Sequence, residues 1–91
     1  MAIQVELTYE MSRVLGKRRL EVELGVESAT TVADVVAQTR ARFDEIGAEF
    51  EKLARVTAIA VNGVLVNHKK GMKTKLADGD RVGFVKAAAG G

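Results

Sequence analysis

The apolar residues of this chain change their spacing twice, and that switch restricts the possible folds more than any other feature of the sequence. Ile3, Val5, Leu7 and Tyr9 alternate with Gln4, Glu6, Thr8 and Glu10, the period of a half-buried strand. Leu20, Val22 and Leu24 repeat the pattern against Arg19, Glu21 and Glu23. Leu15-Gly16-Lys17-Arg18 supplies a turn between the two runs, so the reading predicts an antiparallel hairpin at the start of the domain. From Val32 the steps lengthen to three and four, through Val36, Thr39, Phe43, Ile46, Phe50 and Leu53, which is a narrow helical stripe. Thr31 and Asp34 form the capping-box pattern in its aspartate form, and the acid suits the positive end of the helix dipole. One helix from Val32 to Ala54 would be about 34 Å long, too long to lie across a small sheet. Gly47, costing about 1 kcal/mol inside a helix, marks the expected break. A main helix and then a shorter helical piece within Asp44 to Ala54 are predicted.

The last third returns to strands. Thr57 to Val61 is a short apolar run, and Asn62-Gly63 is a strong two-residue hairpin signal before Val64, Leu65 and Val66. A basic loop follows with His68, Lys69, Lys70, Lys73 and Lys75. Leu76 precedes Asp78-Gly79-Asp80, a turn sequence, and Val82 to Lys86 reads as a final strand with Val82 and Phe84 facing inward. The fold class this order implies is α+β, with one domain over residues 1–86 and a thin tail over 87–91.

Composition removes most chemistries. Ninety-one residues hold one small core. No cysteine is present, so there is no disulfide, thiolate metal site or cysteine nucleophile. With a single histidine, a multi-histidine metal site is also excluded, and no catalytic or metal-ligating residue is expected. His68 has no partner that would orient it as a base. Asp78 and Asp80 are read as turn residues rather than a catalytic carboxylate pair. A formal charge of +2 with 4% aromatics argues against nucleic acid, and the lysine-rich loop reads as a solvated surface. No apolar run approaches the roughly 20 residues of a membrane span, and the start MAIQVELTYE is unlike a signal peptide. A cytoplasmic location with no membrane partner is expected.

The chain ends Ala87-Ala88-Ala89-Gly90-Gly91, and five residues extend about 17 Å at full stretch. Val61-Asn62-Gly63, Leu76 with Asp78-Gly79-Asp80, Val82, Phe84 and the terminal Ala89-Gly90-Gly91, in this element order, resemble the sulfur-carrier branch of the ubiquitin-like β-grasp superfamily. That branch comprises the molybdopterin synthase small subunits and the thiamine-pathway sulfur carriers. The resemblance implies a mixed sheet with one main crossing helix. It also implies a tail whose Gly91 carboxylate is adenylated and converted to a thiocarboxylate, with Gly90 and Ala89 giving access. No cofactor would be bound by the chain itself; ATP would be used by an activating enzyme of the E1-like adenylating class. A sulfur-accepting synthase subunit would be the second partner, and Leu65 and Val85 the partner contacts.

The longer helical region, Asp44 to Ala54, favours the molybdopterin synthase small subunit over the compact thiamine-type carriers. Alternatives are a carrier for cysteine, thiamine or specialised-metabolite biosynthesis, or a ubiquitin-like modifier conjugated through Gly91. A plain β-grasp binding module using the basic loop is a third class. On each reading that uses the tail, the chain is a carrier or co-substrate and not a stand-alone enzyme.

Overall fold

A computed structural model describes residues 1–25, 30–66 and 71–86. Five strands, β1 (Ala2–Glu6), β2 (Arg19–Glu23), β3 (Thr57–Val61), β4 (Val64–Val66) and β5 (Arg81–Lys86), form one mixed sheet in the order β2-β1-β5-β3-β4. β1 and β5 run parallel at its centre, with Gln4 level with Arg81 and Glu6 level with Gly83. The other neighbours are antiparallel. A parallel pair cannot be closed by a tight turn and needs a crossover; α2 (Val32–Asp44) lies in it.

α2 begins as expected. The Asp34 carboxylate accepts from the Thr31 backbone N–H at 2.9 Å, and the Thr31 hydroxyl accepts from the Asp34 N–H at 3.4 Å. Val32, Val35 and Phe43 join Ile3, Val5, Val22, Val82 and Phe84 in a single core, so one sheet face is covered by the helix. Thr39, fully buried among them, satisfies its hydroxyl by donating to the Val35 carbonyl at 2.8 Å. The chain leaves the helical path where glycine was expected to break it: α2 stops at Asp44, and Gly47 takes φ +71°. α3 (Phe50–Ala54) then returns Phe50 to the core, where it lies edge-on to Phe84 with ring centroids 5.8 Å apart.

Two expectations are corrected. The opening strands do pair antiparallel, but no simple hairpin joins them: a helix, α1 (Tyr9–Leu15), stands between β1 and β2. The strand ends at Glu6 although the alternation runs on to Glu10, because the Thr8 hydroxyl accepts from the Met11 N–H at 3.2 Å and caps the helix. Gly16 ends the helix at φ +80°, its N–H bonded to the Ser12 carbonyl at 2.8 Å. Met11 is driven into the core, while Tyr9, expected inside a strand, is 70% exposed. The second correction is Ile46, which continues the helical stripe on paper but is exposed because α2 has already ended; Val35, rather than the half-buried Val36, fills the core.

The Asn62-Gly63 turn closes β3 onto β4 with φ +50° and +84°, the left-handed pair that a two-residue hairpin requires.

Candidate functional site

Alternation along β5 divides the sheet into a covered and an open face. Val82 and Phe84 enter the core, which leaves Arg81, Gly83 and Val85 on the face that no helix covers. The strand register then fixes their neighbours. Arg19 lies opposite Glu6, Glu6 is level with Gly83, Gly83 opposite Ala60, and Ala60 opposite Leu65, a row across all five strands. Val85 sits on the same face, opposite Ala58. Leu65 is 65% exposed and Val85 40%, so both side chains expected to meet a partner are on the open face.

Between them the surface is low. Glycine and alanine supply the floor at positions 83 and 60, producing a depression of about 140 Å³ lined by Glu6, Ala60, Gly63, Arg81, Gly83 and Val85. A side chain at Gly83 would meet no atom within 4 Å, so the missing Cβ is not demanded by packing inside the domain. The result is an apolar shelf with an acid and a base at its rim, the mixed character of a protein–protein contact surface.

β5 is fixed at its start by carboxylates used as backbone acceptors. Asp78 Oδ1 accepts from the Ala2 N–H at 2.7 Å, and the Gly79 N–H donates to the Ala2 carbonyl at 2.9 Å. Asp80 accepts from the Ala77 N–H at 2.8 Å and from the Asn62 side-chain amide at 3.1 Å, and Asn62 Oδ1 accepts from the Arg81 N–H at 3.0 Å. The Ala77 N–H, followed by the Asn62 amide, holds the Asp80 carboxyl below the usual carboxylate range. Asp78-Gly79-Asp80 is therefore turn chemistry, as the sequence indicated. Among the described residues no group of histidines and carboxylates could hold a metal ion.

At its far end β5 finishes at Lys86, whose Nζ is 3.9 Å from Glu10 Oε1 on α1. The expected reactive residue Gly91, and Gly90 and Ala89 before it, lie outside the described residues, as do His68, Lys69 and Lys70 of the basic loop. Lys73 and Lys75 are exposed. The structure thus brings Leu65 and Val85 onto one face, with Val85 next to the last described residue of the strand that leads to the tail. What sequence reasoning missed is α1, which stands at that same end. Thr8 before the first turn and Gly16 after the last were the signals that could have found it.

A five-stranded mixed sheet with a central parallel pair, grasped by one crossing helix, is a ubiquitin-like β-grasp domain. The sequence model of the ThiS family matches residues 7–91, and the chain belongs to that family of small ubiquitin-like sulfur carriers, which are not themselves catalysts. Solved structures agree on the fold. The Haloferax volcanii HVO 2177 protein is 28% identical, with a TM-score of 0.72 over 100% of this chain and 87% of that one. A chain of the Amycolatopsis orientalis BexX/CysO complex is 24% identical, with a TM-score of 0.67 over 99% of this chain and 100% of that one. A chain of the complex of subunits 1 and 2 of molybdopterin-converting factor from Helicobacter pylori is 20% identical, with a TM-score of 0.59 over 100% of both. No curated protein matches. Among the described residues no helix is long and apolar enough to cross a membrane.

Proposed function

We propose that this protein carries sulfur as a thiocarboxylate on Gly91 and delivers it, as the small subunit of a molybdopterin synthase, in molybdenum cofactor biosynthesis. The observation that carries the reading is the family match, which runs through the C-terminal diglycine to residue 91. In this scheme an E1-like enzyme in the cytoplasm joins the Gly91 carboxylate to the adenylyl group of ATP and releases pyrophosphate. Hydrosulfide-level sulfur then attacks the carbonyl carbon, the C–S bond forms as the C–O bond to AMP breaks, and one carboxylate oxygen, carried off on AMP, has been exchanged for sulfur. Gly90 and Ala89 serve access: without a Cβ, or with only a methyl, they pass a narrow channel that larger side chains would block. Residues 1–86 act as the handle and 87–91 as the arm. Leu65 and Val85 dock the handle on the enzyme that loads it and on the synthase subunit that unloads it, an exposed apolar pair being suited to a contact surface.

The likeness to a chain of the BexX/CysO complex favours a second reading at the last step only, in which the sulfur passes to a synthase of another pathway.

Intact mass after incubation with ATP, a sulfur source and host extract tests the carrier itself. The expected result is a gain equal to one oxygen replaced by sulfur, abolished by deleting Gly91 without a change in thermal stability. Leu65→Asp is expected to keep the fold and slow loading or delivery, since it puts a charge into the apolar contact. An unchanged wild-type mass overturns the proposal. Supplying purified synthase large subunits one at a time to the loaded protein then separates the two acceptor readings.

A further inference from the structure

The end of the sheet from which the tail departs is basic. β1 and β5 finish side by side, and everything from Leu7 to Arg18 projects beyond that end before β2 begins opposite Glu6. This places Arg13, Lys17, Arg18 and Arg19 around the root of the tail with Lys86 itself. Arg55 joins them, two residues ahead of Thr57, which lies opposite Lys86. All six cations are exposed. Three nearby carboxylates are already engaged: Glu10 lies 3.9 Å from Lys86, Glu6 3.9 Å from Arg81, and Glu51, one helical turn before Arg55, pairs with Arg40. A recess of about 220 Å³ opens here, lined by Glu6, Leu7, Arg18 and Arg19. At the opposite end Asp78 and Asp80 are turned onto backbone N–H groups. Six of the fourteen lysines and arginines therefore lie at the end of the sheet where the tail leaves.

From this placement we infer that the activating enzyme that receives the tail presents an acidic rim around its channel, and that Lys17, Arg18 and Arg19 with the recess beside them dock against it. The inference rests on the carrier reading and adds a second contact, electrostatic and separate from the apolar shelf of Leu65 and Val85. Six cations, of which Lys86 is paired with Glu10, leave an excess of positive charge at one strand end that raises the local concentration of an acidic partner and orients it before short-range contacts form. A protein rim fits better than nucleic acid, because Tyr9 is the one exposed aromatic among the described residues and its ring is already covered by Arg13, 5.7 Å from the centroid.

The test is the initial rate of sulfur-dependent mass gain of the full chain in host extract, below saturation, in about 0.1 M and about 0.5 M NaCl. The Debye length falls between these from about 10 Å to about 4 Å. The double variant Lys17→Glu with Arg18→Glu is compared with Arg42→Glu with Lys52→Glu, which makes the same charge change on exposed positions of α2 and α3. The first pair is expected to slow loading about tenfold at low salt and less than about twofold at high salt. The control pair is expected to stay within about twofold of wild type at both. If the reversal impairs folding in a thermal melt, Lys17→Gln with Arg18→Gln replaces it, with a smaller slowing of the same salt dependence. Equal rates, or a gap that salt leaves unchanged, overturn the inference. A gap abolished by nuclease treatment of the extract assigns the cations to nucleic acid and overturns it too. Wild type that gains no sulfur sinks the carrier reading itself, whereas loading that ignores the variants sinks only the acidic rim.

Discussion

The two ends of β5 are built from opposite materials. Its start is tied down by Asp78, Asp80 and Asn62, whose side chains bond backbone N–H groups of Ala2, Ala77 and Arg81 at 2.7 to 3.0 Å. Its finish is marked by Lys86, which meets Glu10 at 3.9 Å in an ion pair open to solvent. Charge at the first end is spent on holding the chain; charge at the second is left facing outward. The difference teaches that a single strand can be anchored at one end and left open to solvent at the other, because the two are separated by its length rather than by a hinge.

Breaking the strand between its ends should have the largest effect. Phe84, edge-on to Phe50 in the core, serves both halves, and Phe84→Ala is expected to cost about 3–5 kcal/mol. That is a large share of a small domain's stability, and a denaturant titration should show both ends lost in one transition.

Asp80→Ala attacks only the anchored end. The carboxylate is in contact with solvent, so screening limits the loss to about 1 kcal/mol, or about 4–8 °C in Tm. Its pH dependence has a definite sign. The Asp80 carboxyl titrates below its ordinary value of 3.8 in the folded chain, so its contribution is present above that value and fades as pH falls through the lower, folded one. Melting curves from about pH 5 to about pH 2 should show a smaller acid-induced decline in Asp80→Asn than in wild type.

Lys86→Ala probes the other end and should be the mildest change. An exposed pair at 3.9 Å contributes roughly 0–0.5 kcal/mol, so the melting temperature should be unchanged within error. A large drop would show that the tail end is also structural and would erase the contrast.

How far the sequence could be read follows the same division between local and distant causes. Thr31 with Asp34, Asn62-Gly63, Gly47 and the alternation of Val82 with Phe84 each act within a few residues, and each takes the conformation its chemistry dictates. Exposure of Leu65 and Val85 was likewise legible, since it needs only period two and a covered face. α1 was not. Ile3 to Glu10 alternates without interruption, yet the strand ends at Glu6, four residues before the pattern does, and the Thr8 hydroxyl, by capping the Met11 N–H, starts a helix inside it. Ile46 misled for a related reason: a stripe of apolar residues continues past the point where the backbone turns away. The basic collar depends on residues as far apart as Arg13, Arg55 and Lys86, brought together by sheet order, which spacing along the chain does not reveal.

The parallel pairing of β1 with β5 has a practical corollary. Two neighbouring strands pointing the same way put the first and last described residues at opposite ends of the sheet, with the Met1 amino group bonded to the Leu24 carbonyl at 3.2 Å. Met1 lies three residues before Gln4 and Lys86 five after its register partner Arg81, so strand geometry separates these ends by about 26 Å. An affinity tag, a fluorophore or a whole domain fused ahead of Met1 would leave from the anchored side, clear of both the shelf and the collar. Cargo added after Gly91 would instead mask the very carboxylate proposed to react, so labelling strategy is set by strand direction alone.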